Sequence, residues 1–83
     1  MNSSIANEFP KEFFVDIPGA DYLVARITLH KMKQDFMSEI DVIMRESGKI
    51  WTHAGSLYKL SDEGEAIDRS VQFLADYLKS KKL

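Results

Sequence analysis

The chain contains no cysteine, which excludes disulfide staples, thiolate metal sites and thiol nucleophiles together. Stability must therefore come from packing, with self-association as an additional source. No run comes near the roughly 18 consecutive apolar residues of a spanning helix, and the opening MNSSIANEFPKE lacks the charged-then-apolar layout of a signal peptide. A cytoplasmic protein is expected. Glycine is sparse, at 4 residues scattered singly, so no glycine-rich loop can cradle a phosphate. There are 2 histidines, His30 and His53. Neither has an i,i+4 histidine partner or a nearby cysteine, so no metal site and no cofactor are expected. A net charge of −2 gives no basic footprint over the whole chain, which disfavours a nucleic-acid partner.

What is present is enough for one modest core. At 83 residues, 45% hydrophobic and 29% charged, the composition is that of a soluble globular domain too small to carry a deep catalytic cleft. Residues 1–12 are expected to be a flexible N-terminal segment and 13–83 a single α+β domain. Phe13, Phe14, Val15 and Ile17 suit a short strand closed by Pro18-Gly19.

From Asp21 to Ser47 two periods compete. At about 100° per residue, Tyr22, Ala25, Leu29, Met32, Phe36, Ile40 and Ile43 form one stripe, with Met37 and Met44 at its border. At period two, Arg26 to His30 alternates, and Phe36, Ile40, Val42 and Met44 share a side. The helix is preferred. Lys, Gln, Glu, Met and Asp dominate between His30 and Glu46, Asp41 and Arg45 form an i,i+4 pair, and Ser47-Gly48 reads as a C-terminal stop. Leu23, Val24 and Ile27 fall off the stripe.

KIWTHAGSLYKL then reads as a hairpin turning at Gly55-Ser56, with Trp51, His53, Tyr58 and Leu60 on one face. Ser61 is the expected N-cap of a last helix, with Asp62, Glu63 and Glu65 at its positive end and Lys79, Lys81 and Lys82 at its negative end. Ile67, Val71, Leu74 and Leu78 make its buried stripe, flanked by the Glu65–Arg69 pair.

The step Tyr58-Lys-Leu60-Ser61-Asp-Glu-Gly64, preceded by MRESGKIW, resembles winged-helix transcription regulators of the PadR and MarR kind over the C-terminal half of the chain. Their Tyr-x-Leu-Thr-x-x-Gly step has Ser61 in place of threonine here. The resemblance implies an αββα winged-helix arrangement in which the helix before the wing, about Phe36 to Ser47, enters the major groove. Carried over by position, Arg45, Lys49, His53 and Lys59 would be the DNA contacts. Two features depart from the pattern: HKMKQDFMSE runs on without a helix-breaking turn, and Asp35, Glu39, Asp41 and Glu46 would meet phosphates with like charge.

His53 followed by Ser56 suggests a base and a nucleophile, but the sequence places no orienting carboxylate or oxyanion donor beside them, so no enzyme is expected. Apolar residues beyond the needs of a small core favour protein contact instead. Trp51, Met37 and Met44 are candidates, as are Phe73 and Tyr77, which lie off the main stripe of the last helix. The expected function is a small non-catalytic regulator, inhibitor or adaptor acting through protein contacts as a homodimer. A winged-helix DNA-binding regulator is the alternative.

Overall fold

A computed structural model describes residues 9–81. Four strands, β1 (Lys11–Asp16), β2 (Leu23–Lys31), β3 (Phe36–Met44) and β4 (Ile50–Leu60), precede one helix, α1 (Glu63–Lys81). The strands form an antiparallel meander in the order β1-β2-β3-β4, and α1 packs across β2, β3 and β4. The domain is α+β, with one face of its sheet under a helix and the other open. The expectation that residues 1–12 stay flexible falls mostly outside the described residues, though Lys11 and Glu12 open β1.

The amphipathic helix expected between Asp21 and Ser47 is instead the β2–β3 hairpin. Leu23, Ala25, Ile27 and Leu29 point to the helix side of β2 and are all buried, and Ser38, Ile40 and Val42 do the same on β3. Burial outweighs local propensity in this segment. The period-two reading places each of these side chains against α1, at about 1.5–3 kcal/mol for each large one. The helix-forming residues Lys33, Gln34 and Asp35 make the connecting turn, which the Met32 amide closes by donating to the Asp35 carbonyl at 2.8 Å. Gly48, with φ of 75°, turns β3 into β4, a backbone conformation that glycine adopts without steric penalty.

The expected hairpin turn at Gly55-Ser56 is likewise corrected, because β4 runs unbroken from Ile50 to Leu60 and its hairpin partner is β3. Gly55 has a packing reason instead. A Cβ there would lie 2.8 Å from Cε1 of Phe73 and nearer still to Cζ, so the absent side chain is the seat for a helix ring. The αββα arrangement is not the one formed, since α1 is the only helix among the described residues.

The core has two parts. Ile17, Leu23, Ala25, Ile27, Ile40, Val42 and Leu74 form the larger cluster, and Leu29, Leu60 and Ala66 a smaller one toward the start of α1. Between helix and sheet the hydroxyls of Ser38 and Ser70 meet at 2.7 Å, each fully buried and each the other's partner. Two small residues there let α1 approach β3 closely. The helix start departs slightly from expectation: Asp62 Oδ1 accepts the Glu65 amide at 2.7 Å, making Asp62 the N-cap. Ser61 instead donates its amide at 2.8 Å, and its hydroxyl, to the Glu65 carboxylate. Those bonds, the side-chain one first, hold the exposed Glu65 carboxyl below its ordinary pKa.

The sheet edges are β1, 6 residues long, and β4, whose pairing with β3 is interrupted by 3 register shifts. Short strands and bulges are devices that discourage edge-to-edge aggregation.

Candidate functional site

Two surfaces stand out, one apolar and one polar. The first is the end of the sheet where the β1–β2 loop meets the β3–β4 turn. Leu23 pairs with Met44, Ile43 pairs with Ile50, and the Arg45 amide donates to the Tyr22 carbonyl at 2.9 Å. These pairings bring Tyr22, Met44, Ile50 and Trp51 to one end, where they are 61%, 41%, 58% and 45% exposed. A groove of about 390 Å³ opens there, lined by Asp21, Tyr22, Met44, Arg45 and Glu46. Arg45 acts as its strut: Nε donates to the Asp21 carbonyl at 2.9 Å, and Nη2 to Asp16 Oδ1 at 3.1 Å and the Leu23 carbonyl at 3.4 Å. Tyr22 and Met44 line this groove within a charged rim, and Ile50 and Trp51 lie at the same end of the sheet, a composition that fits a protein-contact surface.

The second surface is the open face of the sheet. Cross-strand register puts Phe14, Arg26, Asp41 and His53 in one row, and Glu12, Thr28, Glu39 and Ser56 in the next. Asp41 stands at the centre of the first row. Its Oδ2 lies 3.6 Å from Arg26 Nη2 and its Oδ1 2.6 Å from His53 Nδ1, while His53 Nε2 lies 3.4 Å from Ser56 Oγ. Asp41 is only 9% exposed as a side chain, so its charge is held by these partners more than by water. One row over, His30 Nε2 meets Glu39 Oε1 at 2.9 Å. Arg26 Nε is buried without a partner.

The residues expected at a contact surface separate into two groups. Trp51 and Met44 belong to the apolar end, and Met37 is half-buried on the open face opposite His30. Phe73 and Tyr77 lie against the sheet: Phe73 over Gly55, and Tyr77 with its hydroxyl 3.4 Å from Thr52 Oγ1. The second apolar side of α1 is thus covered by β4 of the same chain. Among the residues expected to contact DNA, Arg45 and Lys49 sit by the β3–β4 turn, His53 lies in the Asp41 row, and Lys59 occupies a bulge near the far end of β4 with φ of 58°. Ten residues of strand, at about 3.3 Å each, separate Lys49 from Lys59. The helix expected to carry Arg45 into a groove is β3 and the turn after it.

Sequence reasoning missed Tyr22 and Asp41. Tyr22 falls within the helical stripe of the sequence pattern, and Asp41 comes beside His53 only through the β3–β4 register. Among the described residues no group of three or more His, Asp or Glu side chains could hold a metal ion, and no helix is long and apolar enough to cross a membrane. Compared with family models, with curated proteins and with solved structures, the chain matches none.

Proposed function

We propose that this chain works by protein contact, as a small regulator, inhibitor or adaptor, and that its apolar end pairs two copies into a homodimer. The observation that carries the reading is the gathering of Tyr22, Met44, Ile50 and Trp51, all well exposed, at one end of the sheet. A helix covers the inner face, yet these four stay only partly covered by the chain. With large side chains of about 150–250 Å² each, roughly half exposed, they present on the order of 400 Å². That is about half of the ~800 Å² per partner in a standard interface. The rim of Asp21, Arg45, Glu46 and Lys49 supplies the polar remainder, and a two-fold arrangement lets the same patch serve both copies.

Charge fits this use. Arg45 is tied to the Asp16 carboxylate and the Asp21 carbonyl, so its guanidinium would not be desolvated unpaired by a mate. Sedimentation velocity over a concentration series tests the proposal. Wild type should pass from monomer to dimer, and Tyr22→Ala or Trp51→Ala should weaken the dimer at least tenfold without loss of fold, since both side chains are exposed. A wild-type chain that stays monomeric to millimolar concentration, or variants that dimerise as wild type does, would overturn the assignment.

A further inference from the structure

We propose that Ser56 is an activated nucleophile that takes acyl groups from uncharged or cationic esters with good leaving groups, with His53 as its general base and Asp41 as the residue that orients His53. This goes beyond the contact reading and uses a different surface, the open face of the sheet.

Strand geometry is the first argument. In a regular strand, residues three apart project to opposite faces. His53 pairs with Asp41 and Ser56 with Glu39, while Gly55 pairs with Ile40, so Ala54 is an extra residue that reverses the alternation. The bulge is what places His53 and Ser56 on the same face. Bulges of this kind re-aim side chains and are over-represented next to active sites.

The hydrogen-bond order is the second argument. Asp41 Oδ1 lies 2.6 Å from His53 Nδ1, and a carboxylate can only accept, so Nδ1 carries the proton. In the neutral imidazole Nε2 then keeps its lone pair, 3.4 Å from Ser56 Oγ, and the serine hydroxyl is the donor. This is the polarity required of an acid-oriented base acting on a nucleophile. Arg26, at 3.6 Å from the other carboxylate oxygen, fixes Asp41 from the far side. The Ser56–His53 separation is longer than a tight bond, as is common before substrate binds.

The step balances without an added reagent. Ser56 Oγ bonds to the acyl carbon while its proton passes to His53 Nε2. The bond from that carbon to the leaving oxygen breaks, and the departing group takes the proton from His53. Water then attacks the acyl-serine, gives a proton to His53 and releases the carboxylic acid, while the proton returns to Ser56 Oγ. Glu39 stands directly opposite Ser56 in the ladder, with one oxygen bonded to His30, and its carboxylate disfavours an anionic group next to Ser56, which sets the substrate class. Because the face is open to solvent, water must stabilise the oxyanion, which restricts the chemistry to good leaving groups.

The test uses the intact chain with p-nitrophenyl acetate and a fluorophosphonate probe, followed by peptide mapping. Ser56 should be modified roughly 10²-fold faster than the exposed Ser47, in keeping with the contribution of a positioned base. Ser56→Ala should abolish that adduct and the nitrophenolate burst, and His53→Gln should slow it at least tenfold, with circular dichroism at the assay temperature unchanged. Asp41→Asn, a change in a positioning residue, should displace the pH–rate profile of acylation. If Ser56 reacts no faster than Ser47, if the burst survives Ser56→Ala, or if the profile is the same in Asp41→Asn, the inference is overturned. Dimerisation is read separately by sedimentation, so failure of one proposal leaves the other standing.

Discussion

Replacing Gly55 by alanine adds one methyl group to β4, and the structure dictates the sign of the result. Gly55 is not one of the described glycines with positive φ, so backbone strain does not oppose the change. In the absence of a neighbour, alanine should be favourable by about 0.5–1 kcal/mol, because glycine in a strand interior carries the larger entropy loss. The neighbour reverses this. The new Cβ would meet Phe73 Cε1 at 2.8 Å, against about 3.5–4.0 Å for relaxed carbon–carbon contact. Either the ring withdraws or β4 does, and overpacking of this kind costs typically 1–3 kcal/mol. For a domain of this size that loss lowers the midpoint of thermal unfolding by about 4–8 °C per kcal/mol. Denaturation followed by circular dichroism reads it, and the double variant Gly55→Ala with Phe73→Leu should recover part of the loss relative to Phe73→Leu alone. If Gly55→Ala is neutral or stabilising, or if the double variant shows no recovery, the packing of α1 on β4 is not as described. A turn at Gly55-Ser56 would also resist alanine, but it would show no coupling to position 73.

The buried hydroxyl pair makes a second prediction. Ser70→Ala alone should destabilise by about 1–3 kcal/mol, because it strands the Ser38 hydroxyl, and Ser38→Ala with Ser70→Ala should cost less than twice the single change in urea titrations. The helix start makes a third. The Glu65 pKa is lowered in the folded chain by the Ser61 bonds, so the stability it contributes is present above its ordinary value and is lost as pH falls through the folded one. Glu65→Gln should therefore flatten the stability profile in that acid range alone, and an unchanged slope there would contradict the assignment.

The extent to which the sequence foretold this architecture varies with how each residue is used. The strand around Phe13 and Val15 was legible from aromatic and β-branched density, and α1 from the charges at its two ends and its ordered Glu65–Arg69 pair, although its buried stripe is Ala66, Ser70 and Leu74 and the expected stripe residue Val71 is exposed. The region from Asp21 to Ser47 was not, for a geometric reason. Phe36 and Ile40 are four apart, a spacing that satisfies both a helix and a strand face. The turn between β2 and β3 is built from Lys33, Gln34 and Asp35, without glycine or proline. The core position at Ser38 further broke the alternation of β3, because its apolar partner is replaced by the hydroxyl of Ser70. The discriminating signal was the burial of Leu23, Val24 and Ile27, three residues a helical stripe left unexplained.

The candidate surfaces follow the same logic. Trp51 and Met44 could be singled out from one residue each, whereas the gathering of Tyr22 with them depends on the Leu23–Met44 register. His53 and Ser56 were visible as a pair three residues apart in the sequence. Their shared face required a bulge, and their carboxylate required a partner strand. Register is a tertiary property, which local patterning does not encode directly.

The contact proposal is tested most directly by the fluorescence of Trp51, the 1 tryptophan of the chain, followed over a dilution series. If the apolar end pairs two copies, its emission should move to longer wavelength as the dimer dissociates, and Tyr22→Ala should shift that transition to at least tenfold higher concentration. An emission maximum that stays constant across the same range while sedimentation shows dimer giving way to monomer would contradict the account, because Trp51 would then lie outside the interface.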